Sequence, residues 1–123
     1  MDGTVWVIDD EPALRTLVRA ILEDEALAVR EFSGPEEALT ALHDGARPTA
    51  ILVDLRVGEL SGADFCRAVV RMDVGVPCIL LSAATDAARI AEELELMFVA
   101  KPFDIDVLVE AVRNPQRTAQ AAS

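Results

Sequence analysis

Aromatic side chains are scarce in this 123-residue chain. It has no Tyr, one Trp and four Phe, so its core has to be aliphatic. Positive charge is also short: 11 basic residues face 22 acidic ones, a formal net charge of −11. A surface this acidic repels phosphate backbones, which argues against direct nucleic-acid binding and favours basic protein patches or cations as partners. Cysteine is limited to Cys66 and Cys78. Their separation matches no metal-ligand spacing and their neighbours are apolar, so buried, reduced thiols are expected and a disulfide is not. His43 is the single histidine, and neither it nor the cysteines suggest zinc. No apolar run reaches the length of a membrane span. Residues 1–10 lack the basic start and long apolar segment of a signal peptide, which makes the cytoplasm the default location. What remains is plentiful aliphatic residue and charge, 52% hydrophobic and 27% charged. That composition and length suit one folded domain.

Strand-like and helix-like segments alternate along the chain. Residues 4–8 form a short Val/Ile-rich run, closed by Asp9, Asp10, Glu11 and Pro12. Pro12 fits the first turn of a helix. Leu14, Leu17, Val18, Ile21 and Leu22 then recur at helical spacing, which predicts an inward stripe. Residues 27–32 read as a second strand, with Arg30 and Glu31 giving it the polarity of an edge. Ser33 and Glu36 have capping-box spacing, which predicts a helix to about His43. The nearly all-apolar third strand, 50–55, is expected to be buried on both faces. Ser61 and Gly62 open a helix carrying Phe65, Val69 and Met72. A strand over 77–81 ends at Ser82, a helix follows over about 86–94, and a fifth strand over 96–100 precedes Lys101 and Pro102. Asp104 caps a last helix with Ile105, Leu108 and Val112 expected inward. The segment 114–123 is polar and Ala-rich, expected to be a flexible tail or linker stub after a domain over 1–113. The fold class is therefore α/β: a five-stranded parallel sheet in the flavodoxin-like order 2-1-3-4-5, with helices on both faces.

In such folds ligands sit at the carboxyl ends of the strands, at the point where strand order reverses. Those ends carry Asp9 and Asp10 (strand one), Asp54 (strand three), Ser82 (strand four) and Lys101 (strand five). Strands one and three are neighbours in this order, so three carboxylates are expected to converge, facing a hydroxyl and an ammonium. Two like charges about 4 Å apart repel by roughly 4 kcal/mol at an effective dielectric near 20. A hard, oxygen-seeking divalent ion relieves this, and Mg2+ fits, since it takes one or two carboxylates plus a substrate phosphate. Lys101 is a mobile point charge suited to a phosphoryl oxygen.

With these pieces in order, the chain resembles the receiver domains of two-component response regulators, the CheY-like family. The matching segments are Val7-Ile8-Asp9-Asp10-Glu11-Pro12, Val53-Asp54-Leu55, Gly62 eight residues after Asp54, Leu80-Leu81-Ser82-Ala83 and Lys101-Pro102-Phe103. The resemblance covers almost the whole chain. It implies that Asp54 is the phosphoacceptor and Asp10 the direct metal-binding acid, with Asp9 acting mainly through water. Arg56 would lend its backbone carbonyl to the metal. Ser82 takes the place of the switch hydroxyl, Lys101 of the family's lysine and Phe98 of the switch aromatic. It further implies a Mg2+ cofactor and a histidine kinase or histidine phosphotransfer protein as phosphoryl source. Readout would fall to a downstream protein target on the face of the fourth helix, fifth strand and fifth helix, where receivers also form homodimers. Neither nucleic acid nor membrane is expected as a direct partner.

Some positions depart from the family pattern. Val57-Gly58 follows where Met-Pro is common, and the cationic Arg56 stands beside the acceptor with Glu59 in reach. Ala84 is apolar. The segment between Ser82 and Lys101 is roughly three residues shorter than usual, close to one helical turn. Taken singly, each residue has a plainer reading: helix-start acids for Asp9 and Asp10, a turn residue for Ser82, a solvated lysine for Lys101, core packing for Phe98 and Trp6. The combination favours the sharper one. Two rivals share the sheet: a non-phosphorylated receiver that only binds, and a flavin-binding domain or small hydrolase. Flavin binding expects a Gly- or hydroxyl-rich loop after strand one, and the acidic loop is its opposite. A haloacid-dehalogenase-type hydrolase expects its acids two residues apart, and here they are adjacent.

Overall fold

A computed structural model describes residues 3–54, 61–82, 89, 92–93, 97–101 and 103–115. Its strands are β1 (Thr4–Ile8), β2 (Ala28–Phe32), β3 (Ala50–Asp54), β4 (Cys78–Ser82) and β5 (Met97–Ala100). They form one parallel sheet in the order β2-β1-β3-β4-β5. The helices α1 (Pro12–Asp24), α2 (Pro35–His43), α3 (Gly62–Met72) and α4 (Ile105–Arg113) connect and cover it. Arg89, Glu92 and Glu93 have helical backbone. The rest of the helix expected over 86–94 lies outside the described residues, as do Arg56 and the expected tail beyond 115.

The sheet is apolar on both faces because helices cover both. Successive side chains of a strand point to opposite faces, and the core divides accordingly. Trp6, Ile8, Phe32, Ile51, Val53 and Leu80 pack with α2 and α3 through Leu42, Phe65 and Val69. Val5, Val7, Leu52, Ile79, Leu81 and Val99 pack with α1 and α4 through Val18, Leu22, Leu108 and Val112. Cys66 and Cys78 are both buried on the first of these faces and both are free thiols. The hydrogen bond with the Cys78 thiol, and then burial, push the Cys66 thiol well up, which keeps it protonated and inert. Trp6 is fully buried against Phe32, with Arg30 of the edge strand lying over both rings.

Three local expectations change. Leu17 and Ile105 lie at the margins of their helical stripes and are exposed, while Val18, Leu22, Leu108 and Val112 carry the burial. Residue Gly34, not Ser33, is the N-cap of α2: its extended backbone starts the helix with no side-chain cap. The Ser33 hydroxyl instead donates to Glu37 at 3.4 Å. Elsewhere the caps are as anticipated. Pro12 opens α1, Ser61 accepts from the Asp64 amide, and Asp104 accepts from the amides of Asp106 and Val107. Among the described residues no helix is long and apolar enough to cross a membrane.

The register sets the site. Ile8 pairs with Val53, and Asp54 with Leu81. Asp9 and Asp54 therefore leave neighbouring strands at the same level. Leu52 sits at the middle of the central strand and is fully buried. Leu52→Ala should destabilise the domain by about 2–5 kcal/mol, read as a lower urea midpoint with unchanged slope.

Candidate functional site

The carboxyl end of the sheet brings Asp9, Asp54 and Lys101 together. Lys101 follows β5, which lies two strands from β3, so its side chain crosses the end of β4 to reach the acids. Parallel strands are about 4.8 Å apart, a span that the long lysine stem and an aspartate bridge between them. The Lys101 Nζ donates to Asp54 Oδ2 at 2.8 Å and to Asp9 Oδ2 at 3.3 Å. All three side chains are sheltered: Asp9 is 3% exposed, Asp54 15% and Lys101 20%.

Asp9 is held at each polar atom. Its amide donates to the Phe32 carbonyl at 3.2 Å. Its Oδ1 accepts from the Glu11 amide at 2.9 Å, and its carbonyl accepts from Arg15 Nη1 at 2.6 Å. Burial raises the Asp9 carboxyl above the ordinary aspartate value, and the nearby Asp54 carboxylate adds to this. The Glu11 amide and the Lys101 ammonium pull the other way without cancelling it. For Lys101, burial works against the charged form. The hydrogen bond to Asp54 and the charges of Asp9 and Asp54 outweigh it, so the ammonium is held above its ordinary value.

Asp10, the next residue, is exposed. Two of the three acids converge on Lys101, and among the described residues no three acids form a ready-made metal cluster. The donor set still suits a hard divalent ion, which takes one or two carboxylates and fills its shell with water. Asp9, Asp10 and Asp54 are the side chains that could hold it. Ser82 ends β4 and pairs with Ala100. Its side chain, like Arg56, lies outside what is described. Phe98 is partly buried on β5, packed on the α2–α3 face of the sheet. It also borders a groove with Val107 and Ala111 of α4.

One participant escapes a motif reading. Arg15 in the first turn and a half of α1 is a solvated residue by sequence, yet it grips the Asp9 carbonyl and pairs with Glu31 at 3.2 Å. The signal for it was an acid in an edge strand opposite a helix that starts beside the acidic loop.

Burial of Asp9 has a consequence for stability. Its raised value means the folded chain binds that proton more tightly than the unfolded chain, so ionised Asp9 is a cost that is fully present at neutral pH. The cost fades as pH falls through the folded-state value and is gone below the ordinary one. Asp9→Asn should therefore raise Tm by a few degrees at pH 7 in metal-free buffer. The gap to the wild type should close as the pH is lowered, in paired thermal melts.

Comparison with known proteins agrees with this fold. The family model of the response regulator receiver domain matches residues 5–113. The DNA-binding response regulator MtrA of Mycolicibacterium smegmatis is 36% identical over 116 residues, covering 92% of this chain and 50% of that protein. The chain thus spans about half the length of the MtrA relatives it matches. Among solved structures, FixJ-N superposes with a TM-score of 0.82 at 26% identity, covering 92% of each chain. The chemotaxis protein CheY4 of Vibrio cholerae superposes with a TM-score of 0.80 at 21% identity, covering 93% of this chain and 98% of that one, a likeness of fold. With the 2-1-3-4-5 sheet and an Asp9–Lys101–Asp54 cluster at its carboxyl end, the chain belongs to the response regulator receiver domain family, the regulatory signalling domain of two-component systems.

Proposed function

We propose that this domain is a Mg2+-dependent phosphoacceptor whose nucleophile is Asp54. The observation that carries the reading is the Lys101 ammonium 2.8 Å from Asp54 Oδ2 at the end of the central strand. A carboxylate oxygen of Asp54 attacks phosphorus in line, forming an acyl phosphate as the bond from phosphorus to the donor's nitrogen or oxygen breaks. The donor is the phosphohistidine of a sensor kinase or phosphotransfer protein, or a small phosphodonor. Lys101 sits where it can follow the developing charge from carboxylate to phosphoryl oxygen. Asp9 and Asp10, with the Arg56 carbonyl, would hold Mg2+, which supplies charge neutralisation for the phosphoryl oxygens. The shelter of Asp9 and Asp54 from water strengthens each of these interactions.

The product adds negative charge and three acceptor oxygens at the sheet end. Ser82 supplies the hydroxyl that meets them, and Phe98 turns further inward as that hydroxyl moves. This biases an existing inactive–active equilibrium on the face of the helix expected over 86–94, β5 and α4, where a protein target or a second copy reads it. The domain is a switch rather than a turnover enzyme, acting in the cytoplasm and linked to neither membrane nor nucleic acid. Its net charge of −11 supports the last point. The DNA-binding named for MtrA is a property of proteins about twice the matched length.

The test is phosphorylation by a small phosphodonor, followed by intact-protein mass spectrometry. Wild type should gain one phosphoryl group with Mg2+ and none with chelator. Asp54→Ala should gain none, and Lys101→Ala should react about 10²-fold more slowly. Undiminished labelling of Asp54→Ala sinks the assignment. A wild type that is never labelled makes the domain a binding module only.

A further inference from the structure

The acid loop is held from behind as well as from the front. Arg15 is 16% exposed and donates through two separate nitrogens. Its Nη1 reaches the Asp9 carbonyl at 2.6 Å and its Nε the Glu31 carboxylate at 3.2 Å. The other Glu31 oxygen accepts from Arg19 Nη1 at 2.8 Å, and Arg19 Nε in turn reaches Glu23 at 3.0 Å. Glu31 lies on β2 opposite Val7, two residues before Asp9. The chain of contacts therefore runs from the body of α1 and the edge strand to one peptide group, the one joining Asp9 to Asp10.

That peptide is planar, so the direction of its carbonyl also fixes the start of Asp10. A grip on the Asp9 oxygen orients both acids: Asp9, which is buried and otherwise anchored, and Asp10, which is exposed. We propose that Arg15 is a positioning residue that aligns the Asp9–Asp10 pair and thereby sets the affinity of the site for Mg2+. This rests on the phosphoacceptor reading above. The planar guanidinium suits the task because it bonds two partners at fixed angles, whereas a lysine offers one mobile point charge.

Charge alone predicts the opposite sign. A cation beside a Mg2+ site repels the metal, so deleting it should tighten binding. The pairing pattern argues that this repulsion is spent locally. Arg15 and Arg19 are matched by Glu31 and Glu23, and the Arg19 hydrogen bond, with that of Arg15, holds the Glu31 carboxyl below its usual range.

The experiment is Mg2+ titration by calorimetry without phosphodonor, on the full chain as wild type, Arg15→Met, Arg15→Lys and Glu31→Gln. Arg15→Met should weaken Mg2+ binding roughly tenfold, in the range seen when a partner of a metal ligand is lost. Arg15→Lys should weaken it too although the charge stays, and Glu31→Gln should weaken it less because the Asp9 contact remains. In phosphodonor kinetics, the Mg2+ concentration for half-maximal rate should rise while the maximal rate at saturating Mg2+ holds. A merely structural defect lowers the maximal rate instead. Binding by Arg15→Met as tight as wild type or tighter overturns the inference alone. A wild type with no Mg2+ isotherm overturns the phosphoacceptor reading and this inference with it. If Arg15→Met fails to fold, Arg15→Lys and Glu31→Gln decide the matter on the same criterion.

Discussion

One ammonium group bridges two sheltered carboxylates at the end of this sheet. Asp9 and Asp54 leave adjacent strands at the same level, and without a cation between them they would repel. Lys101 supplies that cation from two strands away. For the bridge to form, β5 must end level with β3 and β4 must lie between them, which is what the 2-1-3-4-5 order provides. Sheet order, register and the stem length of lysine are thus one constraint. A slip of β5 by one residue would turn Lys101 to the other face of the sheet.

The rest of the fold makes that arrangement affordable. Strand residues alternate between two aliphatic half-cores, and every apolar residue of β1, β3 and β4 is buried. The stability comes from these layers, so the carboxyl end is free to keep groups that do not help folding. Asp9 is the clearest case, a buried acid whose ionised form burial disfavours. Perturbed groups of this kind gather where chemistry is done. Around it, α1 begins abruptly at Pro12, with a single turn between the acids and the helix body. Arg15 can reach back to Asp9 only because no longer loop intervenes.

Much of this was legible in the sequence, for definite reasons. Strand runs such as residues 50–53 are unbroken apolar stretches because both faces are covered, and the acids stand out where those runs stop. Asp104 and Ser61 declare their helices through a short side chain at the cap, a purely local effect. What the sequence concealed depends on tertiary geometry. The capping pattern at Ser33 competes with the extended backbone that Gly34 adopts as N-cap, and Glu37 takes up the serine hydroxyl. Leu17 and Ile105 have the right period but fall at the edge of the covered arc. Asp9 and Asp10 are alike as helix-start acids, and only the resemblance gave them different roles. The turn into α1 buries one and exposes the other. Arg15 carries no motif at all, since its partners are a main-chain carbonyl and an edge-strand glutamate 16 residues away.

The same geometry bears on how a change at Asp54 could travel. Lys101 and Phe98 belong to one short strand segment, three residues apart. Val99 between them packs on the α1–α4 face, whereas Phe98 packs on the α2–α3 face. The buried Val99 and the pairing with β4 hold the strand against displacement as a body, because close-packed contacts yield little. In the proposed switch, Lys101 exchanges a carboxylate oxygen for a phosphoryl oxygen with small motion of its own. The larger response then falls to the element on this strand with room to move. Phe98 is only partly buried and borders the groove shared with Val107 and Ala111. A rotamer change there costs little backbone strain and alters the surface that a partner meets. The rigidity that holds the acid cluster in place is therefore also what would confine the signal to a side chain at the groove.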